Sequence, residues 1–97
     1  MSDFEKLLTE KPFDLQTARN IFIFGKSHGE VRTRDYRKVR ILTFLVKGDF
    51  PIAGIVDLGD RDVVMQWTLK GKRDLRDNVT TNGDLLLLVP DEEGGDQ

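Results

Sequence analysis

The chain contains no cysteine. Disulfides, thiolate nucleophiles and Cys-ligated zinc or iron-sulfur sites are therefore excluded, and the absence fits a reducing compartment. Histidine occurs once, at His28, and serine only at Ser2 and Ser27, so neither a histidine metal site nor a Ser-His-Asp triad has much to draw on. Long apolar runs are also missing. The longest, Leu85 to Val89, falls far short of the ~20 residues a membrane-spanning helix requires, and no membrane partner is expected. The first residues, MSDFEKLLTEK, lack the basic flank and apolar stretch of a secretory signal, which makes the cytoplasm the expected location.

Two short motifs come near to a cofactor site and fail. Gly25-Lys26-Ser27 resembles the end of a phosphate-binding loop, but the earlier glycine would have to stand at position 20, which is Asn20, and the following HGEVRTR reads as strand rather than helix. Asp57, Asp60 and Asp62 cluster in DLGDRD without the spacing of a calcium loop, and a turn explains them. No cofactor and no metal are expected. A metal-dependent hydrolase built on those aspartates ranks last among the readings, because nothing pairs a nucleophile with a base.

What is present suits one small globule. The 97 residues are 38% hydrophobic with six Phe and one Trp, enough for a single core and too few for two. The expected layout is one α+β domain over residues 1–90 followed by a disordered acidic tail over 91–97. The tail, DEEGGDQ, holds four of the 17 acids and none of the 15 bases. Residues 1–90 therefore carry 15 bases against 13 acids, and the formal net charge of -2 conceals a basic body.

Along the chain, Ser2 and Glu5 form a capping box that predicts a short helix over residues 3–10, stopped by Pro12. Asp14 offers a second N-cap for a turn or two carrying Leu15 and Ala18, and IFIF at 21–24 leans towards a strand. From Glu30 the pattern alternates. A three-residue hairpin loop puts Val31, Thr33, Val39 and Ile41 on one face and Arg32, Arg34, Lys38 and Arg40 on the other, whereas a two-residue loop would mix the two sets. Beyond Ile41, with Leu42, Phe44 and Leu45 apolar on both sides, the chain is expected to enter the core. Strands follow at 51–56 and 63–69, separated by glycine turns around Gly48, Gly59 and Gly71. Residues 73–83 read as a polar loop, and DLLLLV as a central final strand. The predicted fold is a helical N-terminal segment on a twisted antiparallel meander of about five strands.

The candidate site is the basic hairpin. Residues 31–44, VRTRDYRKVRILTF, hold five cations and one anion. Arg32, Arg34, Lys38 and Arg40 on one face suit the phosphates of a nucleotide-like anion, with Tyr36 at the tip able to stack a base. The competing explanation is that charge blunts an edge strand against aggregation. Tyr36 stands in or next to a position that favours a positive φ, where glycine or asparagine would be the easy choice. Trp67, on an alternating apolar face, is expected in the core.

FDLQTA at 13–18, VRTRDYRKVRIL at 31–42, FPIAGIV at 50–56, WTLKGK at 67–72 and DLLLLV at 84–89 resemble, in that order, a loose group of small proteins from phages and bacterial mobile elements. Those proteins share an FDL-type helix, a TRDGR hairpin, a YPI strand, an aromatic followed by T-x-D-G-K, and a terminal DL strand. This chain departs by Tyr36 in place of Gly, Lys70 in place of an acid, and the additional IFIFGKSHGE. The resemblance implies a phage-type accessory protein, acting in the host cytoplasm by binding, as in interference with host defence. The leading expectation is a non-enzymatic homo-oligomer holding an anionic small molecule or a host protein. Nucleic acid is the alternative partner, disfavoured because an acidic tail would repel it.

Overall fold

The computed structural model describes residues 8–90. It contains strands β1 (Leu8–Pro12), β2 (Glu30–Thr33), β3 (Lys38–Thr43), β4 (Ile52–Asp57), β5 (Asp62–Trp67) and β6 (Leu85–Pro90), with one helix, α1 (Leu15–Phe24), between the first two. The α+β class holds, but the sheet has six antiparallel strands in the order β1-β6-β2-β3-β4-β5. Only β2 to β5 form a meander. The last strand returns to lie between β1 and β2. The composition of β6 explains this: Leu85 and Leu87 point to one face while Leu86 and Leu88 point to the other, and all four are buried, which only a strand with two neighbours achieves.

Two local expectations are overturned. Residues 8–10, assigned to a capped helix, belong to β1, because Leu8 to Pro12 pair in register with Pro90 to Leu86. The capping-box residues Ser2 and Glu5 lie outside the described residues, as does the acidic tail. IFIF is helical rather than extended. Asp14 caps α1, accepting from the Thr17 N-H at 2.9 Å and the Thr17 hydroxyl at 2.6 Å, and the helix runs on until Gly25 at φ 87°. Leu15, Ala18 and Ile21 thereby recur at helical spacing on the side that meets the sheet. The hydroxyl and N-H of Thr17 hold the Asp14 carboxyl below the usual carboxylate range.

The core lies between α1 and one face of the sheet, where Trp67, Ile52, Val56, Val31, Ile41, Leu85 and Leu87 surround Ala18. Trp67 is fully buried, and its Nε1-H donates to the Gly83 carbonyl at 2.7 Å, so the indole's one polar group is satisfied in the interior. The expectation that the chain enters the core beyond Ile41 holds for Phe44, which packs against the core, and fails for Leu42 and Leu45. The ladder between β3 and β4 breaks at Ile41 to Thr43, and Leu42 and Leu45 end up exposed, the latter at 86%. The irregularity leaves Leu42 without a partner on β4, while Thr43 still pairs with Ala53.

The loop at 73–83 carries no helix or strand but is tightly held. Asp84, 4% exposed, accepts from the Arg73 N-H at 2.8 Å, the Thr81 N-H at 3.0 Å and the Thr81 hydroxyl at 2.8 Å. Burial pushes this carboxyl up, yet the bonds from Arg73 and Thr81 outweigh it and leave the pKa lowered. At the neighbouring turn Gly71 has φ 76°, and a β-carbon there would fall 2.5 Å from the Phe13 ring, so no other residue fits. Among the described residues, no helix is long and apolar enough to cross a membrane.

Candidate anion-binding site

The β2-β3 hairpin has the three-residue loop that parity required. Val31 pairs with Val39 and Arg32 with Lys38, the Thr33 N-H bonds to the Arg37 carbonyl at 3.0 Å, and Arg34, Asp35 and Tyr36 make the turn. Tyr36 takes φ 66°, the one non-glycine residue with positive φ among the described residues. Asp35 accepts the Thr33 hydroxyl in a short bond, which lowers its carboxyl, with the nearby Arg37 helping in the same direction.

The five candidate residues do not form one surface. Arg32 is committed internally: its Nε and Nη2 donate to Glu30 Oε1 at 3.1 and 2.8 Å, and its Nη1 to the Tyr36 carbonyl at 3.1 Å. The Tyr36 hydroxyl reaches across β6 to bond Glu10 on β1. That bond, reinforced by the carboxylate's charge, raises the phenol's pKa. These four side chains flank Leu86 and Leu88, whose register partners are Pro12 and Arg32, and Glu10 and Glu30. The two leucines are only 6% and 9% exposed on a face that no helix covers. Arg32 and Tyr36 thus serve as their cover, aliphatic and aromatic stems below and polar ends outward.

Lys38 and Arg40 are exposed on the same face. Beside them a cleft of about 500 Å³ opens where β2 and β3 part. Lys26, Lys38 and Arg40 line it, but so do Glu30, Asp57 and Asp62. Three cations against three carboxylates give no net attraction for an anion.

Arg34 stands elsewhere. Its N-H donates to the Asp84 carbonyl at 2.8 Å and that of Asp35 to Asn82 at 3.3 Å, docking the turn on the end of the 73–83 loop. Arg34 lines a second cleft of about 330 Å³ with Lys11, Lys70 and Lys72. The acids there are Glu10 and Asp84, so four cations meet two carboxylates, both already hydrogen-bonded. Lys72 Nζ lies 3.8 Å from Asp84 and is largely buried, while Lys70 bonds Asp77 at 3.0 Å on open surface. Lys11, Lys70 and Lys72 escaped sequence reasoning. Lys70-Gly71-Lys72 was visible as a turn, but its proximity to Arg34 depends on the docking of two loops far apart in the chain.

The remaining candidates resolve as local structure. Asp57 Oδ1 accepts the Gly59 N-H at 2.7 Å within the β4-β5 turn. Among the described residues, no three His, Cys, Asp or Glu side chains come together as a metal site. Ser27 Oγ and His28 Nδ1 lie 3.4 Å apart on an exposed 3-10 turn, with the imidazole against Phe24. Compared with family models, curated proteins and solved structures, the chain finds no match.

Proposed function

We propose that this protein acts by binding, without catalysis, and that it takes up an anionic, nucleotide-like ligand in the cleft between the hairpin turn and the Lys70-Gly71-Lys72 turn. The observation that carries the reading is the convergence of Arg34, Lys11, Lys70 and Lys72, from three separate segments, on one concavity with an excess of positive charge. Its volume of about 330 Å³ is at the small end of ligand sites, which run roughly 300–1,000 Å³. Arg34 supplies a planar fork for phosphate oxygens and the lysines supply point charges. Engaging Lys70 costs little, since its bond to Asp77 is exposed and such pairs contribute at most about 1 kcal/mol. The phage-type setting, and interference with host defence by binding, rest on the resemblance of the hairpin and strand motifs. A compact basic cleft supports a small anion better than nucleic acid, which is gripped along a stripe of cations.

Thermal shift and calorimetry of the full chain with nucleoside polyphosphates and cyclic dinucleotides test this. Stabilisation that grows with ligand concentration is expected. Arg34→Ala with Lys70→Ala should weaken the affinity by about tenfold or more, while Arg40→Ala should leave it unchanged. No stabilisation by any of these compounds at millimolar concentration rejects the small-anion reading.

A further inference from the structure

The sheet ends in two edges of opposite character. β1, LTEKP, carries Glu10, Lys11 and Pro12, the charge and proline with which exposed edges are blunted. β5, DVVMQW, has no lysine, no proline and no bulge, and its register with β4 runs unbroken from Ile52↔Trp67 to Asp57↔Asp62.

The direction of its free backbone groups follows from the turn. The Leu58 N-H bonds to the Arg61 carbonyl at 2.8 Å, so Leu58 and Arg61 are a hydrogen-bonded pair, and such pairs alternate along an antiparallel ladder. Val63, Met65 and Trp67 therefore bond to β4, while Asp62, Val64 and Gln66 turn their N-H and C=O groups outward. One observation independently supports this parity: the Gln66 carbonyl is taken from outside the sheet by Arg73 Nη1 at 3.1 Å. Among the described residues, no turn, loop or side-chain hydrogen bond uses the outward groups of Asp62 and Val64.

We infer that β5 pairs with β5 of a second copy, antiparallel about a two-fold axis, to make one continuous twelve-stranded sheet. A two-fold makes an edge its own complement. With Gln66 already engaged, the open register sets Asp62 against Val64 of the other copy twice, giving four backbone bonds, with Val63 facing Val63 on the axis. Val64, 67% exposed and beside its register partner Ile55 on β4, then lies against Asp62 of the other copy and diagonal to that copy's Val64. A second copy is favoured over an unrelated strand because both halves of the pairing come from this one edge. This surface is independent of the anion-binding cleft.

Sedimentation of the full chain between about 1 and 100 µM is the test, because self-association is set by mass action. The expected result is a dimer. Val64→Pro should give a monomer of unchanged circular dichroism, since the lost N-H points away from β4 and edge strands tolerate proline. Val64→Lys should do the same by charge, and Thr9→Lys at the β1 edge should leave the dimer intact. In hydrogen exchange, the amides of Asp62 and Val64 should be protected in the wild type and lose protection in Val64→Lys. A wild-type chain that stays monomeric at the upper concentration overturns the inference. So does a dimer that survives both Val64 variants.

Discussion

The two faces of the sheet are built from the same strands by the same alternation, yet they are closed in different ways. On one face α1 packs Leu15, Ala18 and Ile21 on the apolar cluster that holds Trp67, Ile52 and Val56. On the other no described element crosses the strands, and Leu86 and Leu88 are sheltered by Glu10, Glu30, Arg32 and Tyr36 lying over them. A charged side chain on an open face can thus be structural even where its position suggests a ligand. Arg32 and Arg40 sit on the same face and one strand apart, but the first is bonded on three sides and the second is exposed.

The sharpest way to break the covered face is Trp67→Ala. It should cost about 3–5 kcal/mol, enough to unfold a domain of this size, and denaturant melts would show it. Should the variant melt like the wild type, α1 and the sheet do not share the core described. Next is Asp84→Ala, expected to cost roughly 2–4 kcal/mol because three donors lose a charged acceptor. Its pH signature has a definite sign. The folded pKa of Asp84 is lowered, so its contribution is complete above the ordinary carboxylate range and is lost as pH falls through the folded value. Stability should accordingly decline with less steepness below about pH 4 in Asp84→Ala than in the wild type.

The open face gives smaller effects. Arg32→Ala should cost about 1 kcal/mol by uncovering the leucines, against less than ~0.5 kcal/mol for Arg40→Ala. Equal melting curves would erase the distinction between them. The smallest effect is spectroscopic. Tyr36 is the sole tyrosine, so tyrosinate absorbance reports its titration directly. Because the Glu10 bond raises its pKa, the midpoint should come down in Glu10→Gln. The sign for stability is the reverse of Asp84: the contribution is present below the ordinary tyrosine range and lost as pH rises through the raised value.

Much of this was written in short-range pattern. Period-two alternation set the hairpin's register and the three-residue loop, because a slip by one residue would have carried Arg32 and Arg40 into the core. The misassigned stretches were those whose local signals were satisfied by more than one partner. IFIF suits a strand or a helix end, and the cap at Asp14 with Gly25 beyond it decided for the helix. Leu8 to Pro12 follows a plausible helix start, but pairing with β6 offers its backbone a full ladder. Of the four cations that line the cleft, one was legible for the same reason. Arg34 was recognisable as a member of the alternating basic face, whereas Lys11, Lys70 and Lys72 carried no sign of their meeting.

By itself the sequence determined the lack of cysteine, the α+β class, the parity of the hairpin and the burial of Trp67, since these follow from residue chemistry and from neighbours within a few positions. The tertiary structure alone decided that β6 would lie between β1 and β2. It also decided that Arg32 would be spent on Glu30 while Arg34 joined the Lys70-Gly71-Lys72 turn at one cleft, and that β5 would stand at an edge no other described strand covers. Each of these depends on which distant segments share a hydrogen-bond ladder or a loop contact, and that choice belongs to the burial of the whole chain rather than to any stretch of it.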